Sequence, residues 1–121
     1  EGRDTSRWNL LHPTETPRVP YLTAQFGDRT GPFVAATDYI RAYADQVREF
    51  VPGSYTVLGT DGFGRSDSRQ NLRKFFEVDR FYVVVAALKA LADEGKLPAS
   101  RVAEAIARYG IDADKPASWR V

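Results

Sequence analysis

The sequence of 121 residues predicts one α/β domain built on two parallel strands and four to five helices. Two short apolar runs, residues 33–37 and 55–59, are typical of strands buried on both faces. Between them, apolar residues recur at spacings of three and four from Asp38 to Pro52, which predicts an amphipathic helix. A strand, a helix and a strand in this order form a parallel unit, and we expect its crossover to be right-handed.

The chain divides into three parts within this single domain, residues 1–121. Residues 1–31 hold the end of a helix, which Pro13 terminates, and a Pro-rich connector with a short helix at residues 21–26. Residues 32–110 form the α/β core, and residues 111–121 form a polar tail.

Capping residues mark the helices of the second half. Asp67, with Gln70 three residues later, has the form of a capping box for a short helix. Asp79 is expected to cap the next helix, which continues to Gly95. Ser100 is expected to cap the last one, and Gly110 to end it.

Composition excludes several classes of protein. The hydrophobic fraction of 43% and charged fraction of 27% are those of a globular protein, and a net charge of +1 argues against nucleic acid as a partner. No apolar run approaches the roughly 20 residues that span a bilayer, so we expect no membrane partner. The absence of cysteine is consistent with a reducing cytoplasm, and the absence of methionine predicts a fragment of a larger protein.

The glycine-rich stretch after the second strand is the first candidate site. A turn of this kind, between a strand and a helix, can aim backbone N–H groups at an anion. The dinucleotide and phosphate-loop fingerprints are both absent, and turn chemistry with capping carboxylates explains the same residue types. This candidate turn consists of Asp61, Gly62, Phe63, Gly64, Arg65, Ser66 and Asp67.

The second candidate is a basic cluster formed by Arg69, Arg73, Lys74 and Arg80. Such a cluster is either a solvated helix face or a surface that docks an acidic partner. His12 is the single histidine, so histidine pairs cannot form a metal site within the chain. We expect His12 to be a packing or helix-end residue, and the alternative is a catalytic role in a site outside this chain.

The two strands alone cannot cover both faces of a sheet and satisfy its edges, so we expect missing strands to be supplied from elsewhere.

A long resemblance to a known family extends from Trp8 to about Lys115. It is carried by residues 34–39, 44–48, 55–69, 71–72, 76–79 and 82–88. These runs resemble the homodimeric bacterial pyruvate dehydrogenase decarboxylase family.

This resemblance implies a three-domain parent enzyme of the transketolase-like superfamily. Such enzymes bind thiamine diphosphate and magnesium between their first two domains, at a homodimer interface. The parent would decarboxylate pyruvate and pass the acetyl unit to a lipoyl group on the acetyltransferase core, in a complex that also contains dihydrolipoyl dehydrogenase. The resemblance thus implies a cytoplasmic oxidoreductase.

Within that family this chain would be the C-terminal domain, a three-layer sandwich that is incomplete here. The resemblance also implies that the turn at residues 62–66 faces the rest of the enzyme at a domain or subunit junction. The family's cofactor and metal ligands lie outside this segment, so the resemblance assigns no catalytic, cofactor-binding or metal residue to this chain. We therefore expect a noncatalytic domain that is inactive alone. The alternatives are a regulatory module that binds a small anion or nucleotide, and a docking domain for another component of the complex.

Overall fold

The structure, a computed structural model, describes residues 1–62 and 64–121. Its helices and strands follow one another as α1 Gly2–Leu11, α2 Tyr21–Phe26, β1 Phe33–Ala36, α3 Arg41–Asp45, β2 Tyr55–Leu58, α4 Arg69–Phe75, α5 Arg80–Asp93 and α6 Ala99–Arg108. Two 3₁₀-helical segments, Arg48–Phe50 and Ser118–Arg120, complete the described elements. The α/β class is confirmed.

The two strands form a parallel pair, as predicted. Phe33 lies opposite Tyr55, and Ala36 lies opposite Leu58. Burial on both faces was the wrong expectation, because Ala36 is exposed and, among the described strand residues, Val57 alone is buried. Within the described residues the sheet has two strands, so both of its edges lack a neighbouring strand. The handedness of the crossover stays a prediction.

The crossover from β1 to β2 differs from the single long helix that the periodicity predicted. It consists of the short helix α3 followed by the 3₁₀-helical segment. The apolar face predicted for this helix gains little burial, since Tyr39, Ile40 and Tyr43 are between 48% and 69% exposed. Most helical stability in proteins comes from burying such a face, which explains why the helix is short.

Asp38, at which the predicted amphipathic helix was to begin, lies outside α3 and does not cap it. Its carboxylate instead accepts a hydrogen bond from Nη2 of Arg73 at 3.0 Å, and the N-cap position belongs to Ile40. At the other end of the crossover, the Tyr55 hydroxyl donates to the backbone carbonyl of Ala44 at 2.7 Å. The second strand thus holds the end of α3 in place.

The N-cap residue predicted from the sequence is correct for α5 and wrong for α4. Asp79 caps α5 as predicted, because its carboxylate accepts hydrogen bonds from the N–H groups of Phe81 and Tyr82. The cap of α4 is Ser68, not Asp67, since the Ser68 hydroxyl accepts from the N–H of Asn71. The N-cap is therefore displaced by one residue, and the predicted capping box of Asp67 and Gln70 is wrong.

The last helix begins earlier than expected, with Pro98 at its N-cap and Ser100 inside its first turn, so the predicted Ser100 cap is wrong. Gly110 follows its end with a φ of 63°, as the stop signal predicted.

At the N-terminus, α1 ends at Leu11, and the His12 ring stacks on the Trp8 ring with 4.3 Å between the ring centroids. The helix-end role of His12 is confirmed.

The hydrophobic core lies where α5 packs on both strands and α6 packs on α5. Its buried apolar residues are Val57, Val78, Ala90 and Val102. No side chain in the described ranges is less than 2% exposed. Many large apolar side chains remain at the surface: Leu10, Leu11, Val19, Tyr21, Tyr39, Ile40, Tyr43, Val84, Trp119 and Val121.

Candidate functional site

The glycine turn leaves β2 and is anchored at its start to the segment before α3. Gly59 is buried, and a Cβ there would lie 2.6 Å from Cγ of Arg41. The N–H of Thr60 donates to the carbonyl of Tyr39 at 2.9 Å, and its hydroxyl donates to the carbonyl of Asp38 at 2.9 Å. The beginning of the turn is therefore fixed in position.

Asp61 is held by side chains from two distant parts of the chain. Nε of Arg41 lies 2.5 Å from its carboxylate, and the guanidinium of Arg41 also lies over the ring of Trp119, 4.7 Å from the centroid. The Ser118 hydroxyl donates to the backbone carbonyl of Asp61 at 2.5 Å. The carboxylate and the backbone carbonyl of Asp61 are thus both engaged in structural contacts.

The two described glycines of the turn have different surroundings. Gly62 has a φ of 130°, and a Cβ at this position would lie 2.7 Å from the carbonyl oxygen of Ser118. Gly64 has no atom within 4 Å of the corresponding position. Phe63, which the sequence placed in the candidate turn, lies outside the described residues.

Residues 111–121, expected as a polar tail, pack against this turn and the end of α4. Besides the contacts of Ser118 and Trp119, Nζ of Lys115 lies 3.2 Å from the Glu77 carboxylate and 3.3 Å from the carbonyl of Phe75. These contacts join residues far apart in sequence, and no local periodicity or motif signals them. Sequence reasoning therefore missed the part that this segment plays.

Asp67 accepts hydrogen bonds from Nδ2 of Asn71 at 3.1 Å and from the N–H of Ser68 at 2.7 Å. The Asn71 hydrogen bond, with that of Ser68 and the nearby charge of Arg65, lowers the pKa of the Asp67 carboxyl below its ordinary value. The carboxylate therefore stays ionised at neutral pH and is poorly suited to general acid catalysis.

A cleft of about 470 Å³, here called the turn cleft, separates the glycine turn from α4. Its walls combine three arginines, two carboxylates and two large apolar side chains. The lining residues are Asp38, Thr60, Gly62, Gly64, Arg65, Asp67, Arg69, Leu72, Arg73 and Phe76. The exposed Ser66 is not among them, although the sequence grouped it with the turn.

A second cleft of about 610 Å³, here called the helix cleft, lies between α4 and the start of α5. It is lined by Arg69, Gln70, Arg73, Val78, Asp79, Arg80 and Phe81. Three residues of the predicted docking face, Arg69, Arg73 and Arg80, therefore meet here. Lys74 lines neither cleft.

Arg69 and Arg73 line both clefts. They stand four residues apart on α4, so their side chains lie on the same face of the helix and form a ridge between the clefts. The structure thus brings the two candidates that the sequence treated separately, the turn and the basic cluster, into one continuous surface.

No three His, Asp or Glu side chains lie close enough to hold a metal ion in residues 1–62 and 64–121. None of the described helices is long and apolar enough to cross a membrane.

Comparison with known proteins decides the family. The sequence matches the transketolase-like TK C-terminal domain over residues 6–79, which is more than half of the chain. This chain belongs to the transketolase-like C-terminal domain family. Its α/β architecture with a parallel strand pair agrees with that assignment.

Relatives of this transketolase-like domain confirm the resemblance stated from the sequence. The chain is 60% identical over 116 residues to the pyruvate dehydrogenase E1 component of Cupriavidus necator, and 61% identical over 116 residues to that of Haemophilus influenzae. It is also 60% identical to that of Escherichia coli K12. Each alignment covers 95 to 96% of this chain but only 13% of the relative. The chain thus spans a small part of the curated relatives that it matches.

Proposed function

We propose that this chain is the noncatalytic C-terminal domain of a thiamine-dependent pyruvate dehydrogenase decarboxylase. The observation that carries the proposal is the identity of about 60% across nearly the whole chain to pyruvate dehydrogenase E1 components. The parent enzyme would decarboxylate pyruvate and transfer the acetyl unit to a lipoyl group of the acetyltransferase core. That parent would act in the cytoplasm as a homodimer, within a complex that also holds dihydrolipoyl dehydrogenase.

The chemistry of the described residues supports a noncatalytic role. The acidic groups of the turn are occupied structurally, Asp61 by Arg41 and Asp67 by Asn71 and Ser68. The single histidine lies at the end of α1 and lines neither cleft. An arrangement of base, nucleophile and oxyanion donors is thus not assembled within this part of the chain.

Thiamine diphosphate with magnesium does not fit the residues described here. Magnesium prefers an octahedral set of oxygen ligands, normally carboxylates, waters and the phosphates of the cofactor. In the turn cleft, the Asp38 carboxylate pairs with Arg73 and that of Asp67 binds Asn71. We therefore assign the cofactor to the other domains of the parent.

The distribution of apolar surface supports a role as a scaffold. In the described ranges four apolar residues are buried and many large ones are exposed, so the core of the chain contributes little stability of its own. Within the parent, the exposed apolar side chains and the two sheet edges would be covered by other domains or by the second subunit. The domain would then support dimerisation and the geometry of the neighbouring active site.

A segment exchange in a complete enzyme tests this proposal. Residues 6–115 would replace the matching segment in the pyruvate dehydrogenase E1 component of Escherichia coli. We expect the chimera to support NAD reduction from pyruvate in the reconstituted complex at a rate similar to the parental enzyme. A chimera that is folded and dimeric but inactive would contradict the proposal.

A second candidate function is a regulatory site for a small anion in the turn cleft. It is favoured by Arg65 and Arg69, which line the cleft and make no ion pair within the described ranges. Calorimetric titration with phosphate, acetyl coenzyme A and nucleotides tests it. Saturable heat that disappears in Arg65→Ala supports this function, whereas flat titrations with all three ligands exclude it.

A further inference from the structure

We propose that the Arg69–Arg73 ridge and its two flanking clefts are a docking surface for an extended acidic segment of a partner protein. Three observations carry the proposal. Arg69 and Arg73 line both clefts, arginines outnumber carboxylates in the linings, and each cleft also has apolar walls. None of them depends on the parent enzyme's reaction.

The ridge gives the surface its shape. Arg69 and Arg73 point from the same face of α4, with the turn cleft on one side and the helix cleft on the other. Both clefts open next to the ridge, so one extended chain laid across α4 can enter both. The two guanidinium groups then stand at the centre of the contact, where carboxylates can accept bidentate hydrogen bonds.

Most positive charge on this surface remains available. Arg65, Arg69 and Arg80 make no ion pair in the part of the chain that the structure describes. Arg73 pairs with Asp38, but their side chains are 39% and 61% exposed. Exposed pairs of this kind contribute little stability, so an incoming carboxylate can compete with Asp38 for Arg73.

Nearby carboxylates offset this charge only in part, because the linings of the two clefts together hold four arginines and three aspartates. Asp79 accepts two N–H groups at the start of α5, at 3.1 and 3.0 Å. Asp67 accepts from Asn71 and Ser68. The linings of the two clefts therefore keep one positive charge in excess, which is complementary to an acidic segment.

Apolar walls favour a peptide over a small anion. Leu72 and Phe76 line the turn cleft, and Val78 and Phe81 line the helix cleft. A small anion would make no apolar contact with these side chains. A peptide that alternates acidic and apolar residues places carboxylates on the ridge and apolar side chains in the clefts.

The dimensions set the length of the segment. An α-helix is about 10 Å across with its side chains, and an extended chain advances about 3.3 Å per residue. About three residues therefore cross the ridge. With two to three more in each cleft, the occupied segment is about seven to nine residues long.

The test uses fluorescence anisotropy with a fluorescein-labelled octapeptide of sequence Asp-Leu-Glu-Asp-Leu-Glu-Asp-Leu at low salt. We expect saturable binding to this protein that weakens as salt is added. Arg69→Ala and Arg73→Ala should each weaken binding about fivefold or more. Asp38→Asn should strengthen it, because it removes the carboxylate that competes for Arg73.

Lys74→Ala is the matched control, since it removes one positive charge from the same helix but lines neither cleft. We expect it to change the dissociation constant by less than about twofold. If Lys74→Ala weakens binding as much as Arg69→Ala, the attraction is to bulk charge and the proposal fails. Absence of binding, or equal binding of the uncharged peptide Asn-Leu-Gln-Asn-Leu-Gln-Asn-Leu, also overturns it. Full displacement of the acidic octapeptide by inorganic phosphate, at a concentration equal to that of the peptide, overturns it as well.

Discussion

The side chain of Ser118 donates a hydrogen bond to the backbone carbonyl of Asp61, a residue 57 positions earlier. Ser118 is only 4% exposed, although it lies three residues from the end of the chain as given. Together with Arg41, which contacts both Asp61 and Trp119, it fastens the C-terminal segment onto the glycine turn. The turn conformation thus depends on contacts between distant parts of the sequence.

Replacing Ser118 by alanine is expected to lower the free energy of unfolding by about 1 to 2 kcal/mol, because it leaves the Asp61 carbonyl without its hydrogen bond in a poorly hydrated place. Urea denaturation followed by circular dichroism measures this change. Ser100→Ala is the control, since Ser100 is exposed. Equal stability of the two variants would show that the Ser118 contact adds nothing.

Gly62→Ala is expected to destabilise the fold by about 2 kcal/mol or more. The new Cβ would meet the Ser118 carbonyl at 2.7 Å, in a backbone conformation with a φ of 130°. Gly64→Ala should be tolerated, since its Cβ position is open. Amide hydrogen exchange of residues 115–121 provides the local readout: it should quicken in Gly62→Ala only, and similar exchange in both variants would count against the close approach.

Asp79→Ala is expected to cost about 1 kcal/mol of stability, because two N–H groups at the start of α5 lose their acceptor. Asp28→Ala, at an exposed position before β1, is the control. Urea denaturation of both variants should show a lower midpoint for Asp79→Ala alone. A midpoint equal to that of the unaltered protein would remove Asp79 from the capping role.

Tyr82 is expected to make the protein less stable at high pH. Burial, assisted by the charges of Glu77, Asp79 and Asp112, raises the pKa of its hydroxyl from 10.0 to about 12. Above pH 10 the unfolded chain loses this proton while the folded chain keeps it. This difference favours the unfolded chain. The contribution of Tyr82 to the free energy of unfolding is therefore fully present below pH 10 and is lost as the pH rises towards 12.

Urea midpoints of the unaltered protein and of Tyr82→Phe, measured at about pH 9 and about pH 11, test this expectation. The drop between the two pH values should be smaller for Tyr82→Phe. Tyr21→Phe, which removes a hydroxyl from a side chain that is 66% exposed, should behave like the unaltered protein. An unchanged drop in Tyr82→Phe would show that this tyrosine does not couple to folding.

Local sequence signals predicted much of the fold. The apolar runs at residues 33–37 and 55–59 became the parallel strands, and Asp79 capped α5, because these features depend on neighbouring residues. The helix predicted after Asp38 is short because its apolar residues Tyr39 and Tyr43 remain exposed. Periodicity reveals an apolar face but does not reveal whether anything covers it.

Individual residues of the candidate site could be predicted from the sequence, but their arrangement around the two clefts could not. The basic residues were found from their proximity in sequence, yet Lys74 lines neither cleft while Arg69 and Arg73 line both. Which of these basic residues line the clefts depends on the direction in which each side chain leaves α4. The contribution of Ser118 and Trp119 arises from long-range packing, for which a single sequence offers no periodic signal.

The most direct test of the central claim is the release of carbon dioxide from carboxyl-labelled pyruvate by the purified chain, with thiamine diphosphate and magnesium added. If the chain is a noncatalytic C-terminal domain, release should equal that of a protein-free control. Saturable release that depends on both the chain and the cofactor would show that these residues hold a complete active site, and would contradict the proposed function.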